Sequence, residues 1–329
     1  MTDTENWRPG CDPAVLRLRA RLLRALRQFM DARDILEVET PLLTRGANHD
    51  LHVHNFRIEA DPAEREALAL HTSPELHMKR LLAAGSGAIW QLCKVFRAGE
   101  TGPRHNPEFT MLEWYVPGHS LGQLVDDTLD LFDHLRATAG LQPLPRQRLT
   151  YREAFFDATG LDPFHASVSE LAARARAAGI TVHSPQTLTQ DDWLDLLVSE
   201  LVQRQFPEDR YTLLCDFPAS QAALARLRRD AQGEPVAERC EIFQGALELA
   251  NGYRELVDPA EQRDRFTREA RRRTERGEPP TRVDERFMAA LESGLPDCSG
   301  LSVGFDRLLM TCAGETDIRR VLTFDQSRL

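Results

Sequence analysis

Two arginine-centred segments far apart in the chain constrain its fold most. The first runs from Phe96 and Arg97 to residues 104–109, and the second is residues 304–307. Apolar stretches at 89–97 and 109–115 flank a polar loop with Gly and Pro, which predicts an antiparallel hairpin with a long tip. Both arginine segments are predicted on strands, and the second belongs to a strand-turn-helix unit over 300–312. The pattern therefore predicts an α+β fold built on an antiparallel sheet.

The remaining elements follow from periodicity and capping residues. Asp12 and Pro13 predict the start of an amphipathic helix that ends near Arg33. Apolar and polar residues alternate over 35–41, which predicts an edge strand. It ends at Pro41, where the lack of a backbone N–H disturbs the strand pairing least. Further helices are predicted at 121–135, 170–178, 191–206 and 259–276, and strands at 211–217 and 239–249. We predict a tail at 1–12 and one catalytic domain at 13–329, with a helical insertion at about 140–210.

Composition limits the location and the partners. The chain has 329 residues, of which 42% are hydrophobic, and no leader pattern or apolar run of roughly 18 residues, so a cytoplasmic, soluble protein is expected. Six scattered cysteines without a CxxC pair favour reduced thiols. A net charge of -10 disfavours RNA as the main partner, because it would repel a phosphate backbone at long range. The arginine-dense stretch over 263–286 could dock an acidic protein or RNA, but a solvated helix face is favoured.

The second strand of the hairpin carries the first candidate site. Phe109, Met111, Glu113 and Tyr115 share one strand face because side chains alternate with period two. A buried Glu paired with an Arg is the structural alternative. Guanidinium groups stabilise the charge that develops on phosphate during nucleotide activation. Arg97 is the candidate α-phosphate clamp.

Further cations lie on the loop and near the C-terminus. Arg104 and His105 are predicted to hold the outer phosphates, and Phe109 and Arg307 to sandwich adenine. An ion pair between Arg307 and Asp306 is the structural alternative. Small residues at 300, 302 and 304 would let that segment lie close to a ligand.

Several glutamates are candidates for binding a metal ion and the positively charged end of a substrate. Glu241, Glu248 and Glu255 recur every seven residues, which would suit a helix face, but Asn251-Gly252 breaks the run and the apolar neighbours favour strands. Glu241 and Glu248 are predicted to hold Mg²⁺ at a triphosphate. An ammonium group of the substrate would be met by the carboxylates of Glu75, Glu113 and Glu255.

A histidine metal site is a weaker hypothesis. Only His52 and His54, of the nearby trio with His49, would share a strand face, and no Cys or carboxylate pair completes such a site.

These motifs resemble those of the class II aminoacyl-tRNA synthetases over about residues 13–329. The helix and strand ending at Pro41 resemble motif 1, the Arg97 hairpin motif 2, and residues 304–307 motif 3. Residues 72–80, 248–255 and 296–310 resemble the lysyl branch. Ser73 and the stretch at 217–221 are most similar to truncated lysyl-tRNA synthetase paralogues that attach β-lysine to translation elongation factor P.

The resemblance implies a fold and a reaction. The fold would be a class II synthetase-like antiparallel sheet flanked by helices, without an anticodon-binding domain. The reaction would activate (R)-β-lysine, or lysine, with ATP and Mg²⁺ and transfer it to an elongation factor P lysine. Motif 1 implies a homodimer around Pro41.

The resemblance also implies the site residues. Arg97 and Arg307 would be catalytic. The amino-acid site would comprise Ser73, Pro74, Glu75, Glu113, Tyr115, Asn251 and Glu255. The ATP site would comprise Arg97, Ala98, Gly99, Arg104, His105, Asn106, Phe109, Glu248, Leu249, Gly304 and Arg307.

Two positions depart from the family pattern. Glu100 follows Ala98 and Gly99, whereas lysyl enzymes usually carry Arg-Asn-Glu, so the carboxylate is shifted by one place. Ser302 stands where the family has Gly or Ala, and we expect its hydroxyl to trim the pocket against α-lysine. Three alternatives remain: a truncated lysyl-tRNA synthetase, a ligase with another acceptor, and a non-catalytic regulatory paralogue.

Overall fold

The structure is a computed structural model that describes residues 7–46, 53–58, 68–278 and 282–329. The chain divides into two compact units, residues 1–143 with 257–329 and residues 144–256. Within the described residues, no helix combines the length and apolar character needed to cross a membrane.

The elements within the described ranges are as follows. The helices are α1 (Pro13–Asp31), α2 (Glu75–Ala83), α3 (Leu121–Thr138), α4 (Tyr151–Thr159), α5 (Val168–Ala177), α6 (Gln190–Leu197), α7 (Pro259–Glu275), α8 (Glu285–Gly294) and α9 (Phe305–Ala313). The strands are β1 (Leu36–Glu37), β2 (Leu43–Thr44), β3 (Arg57–Ile58), β4 (Leu68–Leu70), β5 (Ile89–Phe96), β6 (Glu108–Pro117), β7 (Arg146–Thr150), β8 (Tyr211–Pro218), β9 (Leu227–Arg229), β10 (Pro235–Gln244), β11 (Leu247–Arg254) and β12 (Cys298–Gly304).

The first unit is organised around the predicted hairpin. β5 and β6 pair antiparallel, β12 pairs antiparallel with the other edge of β6, and the short β1 runs parallel to β5. Helix α1 begins as predicted, because the Asp12 side chain accepts the N–H of Ala14 over 2.7 Å. Its apolar stripe, which includes Leu22, Leu26 and Met30, is buried. A second small sheet has the order β2-β4-β3.

The predicted tail at 1–12 is only partly described. Residues 1–6 lie outside the described residues. The N–H of Gly10 donates to the carbonyl of Thr323 over 2.8 Å. The N-terminal segment is therefore tied to the C-terminal segment of the same unit at this point.

The second unit pairs helices with a sheet in which most strand pairs are antiparallel. β7 runs parallel to β8, whereas β10 is antiparallel to β8, β9 and β11. The helices α4, α5 and α6 cover the region in which a helical insertion was predicted, and the chain continues from α6 through a π turn and a 3-10 turn to Gln205. Tyr151, Phe155 and Trp193 belong to its buried core.

Three local predictions are wrong. The strand predicted over 239–249 is two strands, β10 and β11, because the chain turns after Gln244 at Gly245, which has a φ of +55°. Arg307 lies in the first turn of α9 rather than on a strand, because β12 ends at Gly304. Cys215 and Cys240, which spacing did not connect, form a disulfide between β8 and β10.

Candidate active site

The hairpin brings a cation and an aromatic ring together. Arg97 follows β5 directly, and its guanidinium carbon lies 5.1 Å from the centre of the Phe109 ring on β6. Its Nη1 lies 3.8 Å from Oε1 of Glu100, the shifted motif 2 acid. The structure thus places the Arg97 guanidinium against the Phe109 ring. A guanidinium over a ring leaves its outer donors available to an anionic group.

Arg307 contacts the loop of the same hairpin. Its Nε donates to the carbonyl of Arg104 over 3.2 Å, and its Nη2 lies 2.8 Å from Nε2 of His105. The predicted alternative, an ion pair with Asp306, is not what the structure shows, since the Asp306 carboxylate contacts Arg19 and the N–H of Thr110. Three predicted ATP ligands, Arg104, His105 and Arg307, therefore cluster at the loop.

Asn106 anchors the loop. Its Nδ2 donates to the carbonyl of Glu108 over 2.6 Å, and its Oδ1 accepts the N–H of Gln326 over 3.1 Å. Nearby, the hydroxyl of Thr101 donates to Oε1 of Gln326 over 3.0 Å. The C-terminal segment that carries Gln326 was not predicted to take part in the site.

The remaining motif 2 residues form the base of the loop. The N–H of Ala98 donates to the carbonyl of His54 over 2.8 Å. Gly99 has a φ of +83° with open space where a Cβ would be, so the backbone there needs glycine for conformation and can be approached closely.

The histidine metal hypothesis falls partly outside the described residues. His49 and His52 are not among them. His54 lies with its Nδ1 3.8 Å from Oε2 of Glu278.

A buried acidic network lies further along the same strand. Glu113 is 3% exposed, and its two oxygens accept hydrogen bonds from Ser73 Oγ, over 2.7 Å, and from the hydroxyl of Tyr115. The Ser73 Oγ in turn accepts the N–H of Glu75 over 3.0 Å at the start of α2, after Pro74. Lys79, buried one turn later, donates to Oε1 of Glu75 over 2.6 Å. The predicted amino-acid residues of this unit are thus brought together.

The electrostatics of this network favour a cationic ligand. Burial and the neighbouring Glu75 carboxylate raise the pKa of Glu113 to about 8, although Tyr115 and Ser73 oppose the shift. A carboxyl held neutral by desolvation and by a second carboxylate regains its charge when a cation enters. The network is therefore suited to an ammonium group.

The strand register adds residues to this pocket. Across the sheet, Glu113 pairs with Gln91 on β5 and with Ser302 on β12, so the three side chains share one face. Gln91 is buried, and its Oε1 accepts the hydroxyl of Thr40 over 2.9 Å. Gln91 was not predicted as a site residue, although a polar residue within an apolar strand could have indicated it.

The second unit holds the other carboxylates. Glu241 on β10 accepts a hydrogen bond from Arg239, whose guanidinium carbon lies 4.3 Å from the centre of the Phe217 ring. Burial and the Glu248 carboxylate raise the pKa of Glu241 to about 7, while Arg239 lowers it. Arg239 Nη1 also donates to the carbonyl of Gln221 over 2.9 Å, which links Glu241 to the stretch at 217–221. Arg239 was missed because its neighbours in sequence gave no motif.

The other predicted residues of this unit lie on and just beyond β11. Asn251 Nδ2 donates to the hydroxyl of Tyr253 over 3.0 Å. Leu249 is buried, and Glu255, which follows β11, is 1% exposed and makes an isolated bridge with Ala225. A carboxylate so deeply buried needs hydrogen-bond or charge partners to remain ionised.

The donor set suits magnesium only together with a phosphate ligand. No group of three or more His, Cys, Asp and Glu side chains within the described ranges could hold a metal ion. Mg²⁺ is commonly bound by one or two protein carboxylates, while substrate phosphates and water complete its coordination shell. Glu241 and Glu248, whose carboxylates repel each other, would supply such a pair. Their chemistry fits the ion.

Comparison with known proteins shows the family to which the chain belongs. The family model "tRNA synthetases class II (D, K and N)" matches residues 12–328. The chain belongs to this class II tRNA synthetase family.

Curated relatives narrow the comparison. The chain is 42% identical over 326 residues to the elongation factor P–(R)-β-lysine ligase of Haemophilus ducreyi, covering 98% of this chain and 97% of that protein. Proteins of the same name from Mannheimia succiniciproducens and Vibrio parahaemolyticus are each 42% identical, over 98% and 97% of this chain and 98% of each relative. Together with the family match, this similarity identifies the chain as an enzyme of the ligase class.

Proposed function

We propose that this enzyme activates (R)-β-lysine with ATP and transfers it to the ε-amino group of a lysine in translation elongation factor P. The relatives that match over nearly their whole length are named as ligases of elongation factor P and (R)-β-lysine. One structural observation carries the proposal: β6 presents Phe109, under the Arg97 guanidinium, and the buried Glu113 on one face. Four residues along a strand span roughly 13 Å. The nucleotide and ammonium ends of an aminoacyl adenylate would lie along this line.

In the first step, a carboxylate oxygen of the amino acid attacks the α-phosphorus of ATP, and the bond to pyrophosphate breaks. The transition state carries extra negative charge, which Arg97 would stabilise and Arg307 would help to neutralise. Arg104 and His105 would hold the outer phosphates, beside Asn106, Ala98, Gly99 and Gly304. No covalent enzyme intermediate is needed, because positioning and charge stabilisation supply the rate enhancement.

In the second step, the neutral ε-amine of the acceptor lysine attacks the carbonyl carbon of the adenylate. An amide bond forms, the bond to the phosphate oxygen breaks, AMP leaves, and the amine loses a proton. Glu113, Ser73, Tyr115 and Glu75 would hold the diamino acid during both steps, because their network meets an ammonium group with carboxylates in a desolvated place.

By the family resemblance, Glu248 and Leu249 would contact ATP, and Asn251 and Glu255 the amino acid. Glu241 and Glu248 would hold Mg²⁺, which, when bound, neutralises phosphate charge. The support is their chemistry and the resemblance over 248–255.

The partners, the location and the oligomeric state of the enzyme are also proposed. A protein acceptor and a charge of -10 make tRNA an unfavourable partner. We infer a cytoplasmic homodimer, with its interface around the motif 1 strand and Pro41.

ATP–pyrophosphate exchange tests the first step. We expect exchange that depends on (R)-β-lysine, and a loss of at least about a hundredfold in kcat/KM for Arg97→Gln, in line with removal of one transition-state donor. Lys94→Gln is the matched control. Lys94 lies on β5, and its side chain is exposed and forms an ion pair with the exposed Glu108, with Nζ 3.5 Å from Oε1. Equal activity of the two variants would contradict the role of Arg97, and no exchange in the unmodified chain would contradict the activity.

A further inference from the structure

We infer that Asp306 and Arg19 are positioning residues of the nucleotide site. The two side chains form a partly buried ion pair within the first unit, in which the Asp306 side chain is 1% exposed. This inference rests on the proposed function, because it assigns a cause to the arrangement of the proposed ATP residues.

The inference starts where β12 leaves the sheet. The last β12 residue paired with β6 is Gly304, opposite Met111, and the chain then enters α9. The next residue of β6, Thr110, thereby loses a strand partner on that side. Its buried N–H instead donates to Oδ2 of Asp306 over 2.6 Å. A buried backbone donor without an acceptor is costly, so this carboxylate replaces the missing strand.

The other oxygen of Asp306 accepts from Arg19 on α1. The Nη2 of Arg19 also donates to the carbonyl of Val321 over 3.3 Å, and its guanidinium carbon lies 5.6 Å from the centre of the Phe305 ring. Arg19 therefore holds the carboxylate oxygen that Thr110 does not use. A negative charge in the first turn of α9 is also favourable at a helix N-terminus.

The residues that flank this contact are both proposed ATP residues. Phe109 immediately precedes Thr110, and Arg307 immediately follows Asp306. Asp306 thus joins the strand that carries the ring to the helix that carries the guanidinium contacting Arg104 and His105. Because the contact is one residue from each group, a shift of the carboxylate would move Arg307 relative to Phe109. Glu113, farther along β6, lies within paired strand on both sides and should be unaffected.

Asp306→Asn tests this directly. The amide keeps an acceptor for Thr110 but loses the charge that holds Arg19. In ATP–pyrophosphate exchange we expect the KM for ATP to rise at least about fivefold, while the KM for the amino acid stays within about twofold. Arg19→Lys, which keeps the charge but not the planar fork, should raise the KM for ATP by a smaller factor. It supplies the same readout if Asp306→Asn does not fold.

Glu261→Gln is the control for stability. It breaks an ion pair to another largely buried arginine of the same unit, Arg265, within α7, a helix that carries none of the proposed ATP residues. We expect it to lower the melting temperature without changing the ratio of the two KM values. The inference is overturned if Asp306→Asn and Arg19→Lys behave like Glu261→Gln, or raise both KM values equally. Absence of exchange in the unmodified chain would overturn the proposed function, and this inference with it.

Discussion

Ser73 and Glu113 are joined by a hydrogen bond of 2.7 Å between Ser73 Oγ and Glu113 Oε2, which links the segment before α2 to the middle of β6. The same hydroxyl accepts the backbone N–H of Glu75, and Lys79 holds the Glu75 carboxylate. The carboxylates that would seat the diamino acid are therefore fixed before any ligand binds.

Ser73→Ala should weaken amino-acid binding. Removing the hydroxyl leaves one Glu113 oxygen and the partly buried N–H of Glu75 without this partner, at a cost of about 1 kcal/mol or more. We expect the KM for the amino acid to rise roughly fivefold or more, with little change in the KM for ATP. Ser86→Ala, which removes only an exposed hydroxyl near Gly87, is the control and should leave both values unchanged. Equal effects of the two variants would argue against the orienting role.

The stability of the protein should report the raised pKa of Glu113. Its folded-state pKa of about 8 exceeds the ordinary value of 4.5, so between these values the unfolded chain has lost a proton that the folded chain keeps. The contribution of the protonated carboxyl to stability is then complete below about pH 4.5 and declines as pH rises toward 8. Relative to Glu113→Gln, which cannot titrate, the unfolding free energy of the unmodified protein should fall by up to about 1.4 kcal/mol per pH unit. Urea titrations at several pH values measure this difference, and a flat difference would contradict the shift.

Ser302→Gly should widen the choice of amino acid. Ser302 lies opposite Glu113 in register and on the same face, so its hydroxyl borders the proposed pocket. We expect the ratio of kcat/KM for (R)-β-lysine to that for α-lysine to fall by about threefold or more. Ser299→Ala changes the opposite face of the same strand and should not alter the ratio. An unchanged ratio in Ser302→Gly would contradict the role of the Ser302 hydroxyl in excluding α-lysine.

Asn106→Ala should loosen the loop and the C-terminal segment together. Both polar ends of the Asn106 side chain are engaged, with Glu108 and Gln326. Their loss should cost about 1 to 3 kcal/mol locally. Hydrogen exchange should accelerate both over 101–107 and over 325–328. Faster exchange in only the first segment would contradict the proposed anchoring.

The parts of the fold that sequence predicted were those with strong local signals. Period-two patterning on both sides of a polar loop predicted the β5–β6 hairpin, and an Asp-Pro cap predicted the start of α1. The turn at Gly245 was missed because apolar residues stand on both sides of it, so the local pattern favoured one continuous strand over 239–249.

The site was predicted less completely, because long-range partners have no local signal. Arg97, Glu113 and Arg307 were chosen by chemistry, but the contact of Asp306 with Arg19 joins residues 287 positions apart. The disulfide between Cys215 and Cys240 likewise depends on strand register, which cysteine spacing did not reveal.

The most direct test of the central claim is the intact mass of elongation factor P after incubation with this enzyme, ATP, Mg²⁺ and (R)-β-lysine. The account predicts a mass gain of one β-lysyl residue that requires ATP and falls sharply with Arg97→Gln. An unchanged elongation factor P, with aminoacylated tRNA or a small-molecule conjugate appearing in its place, would contradict it.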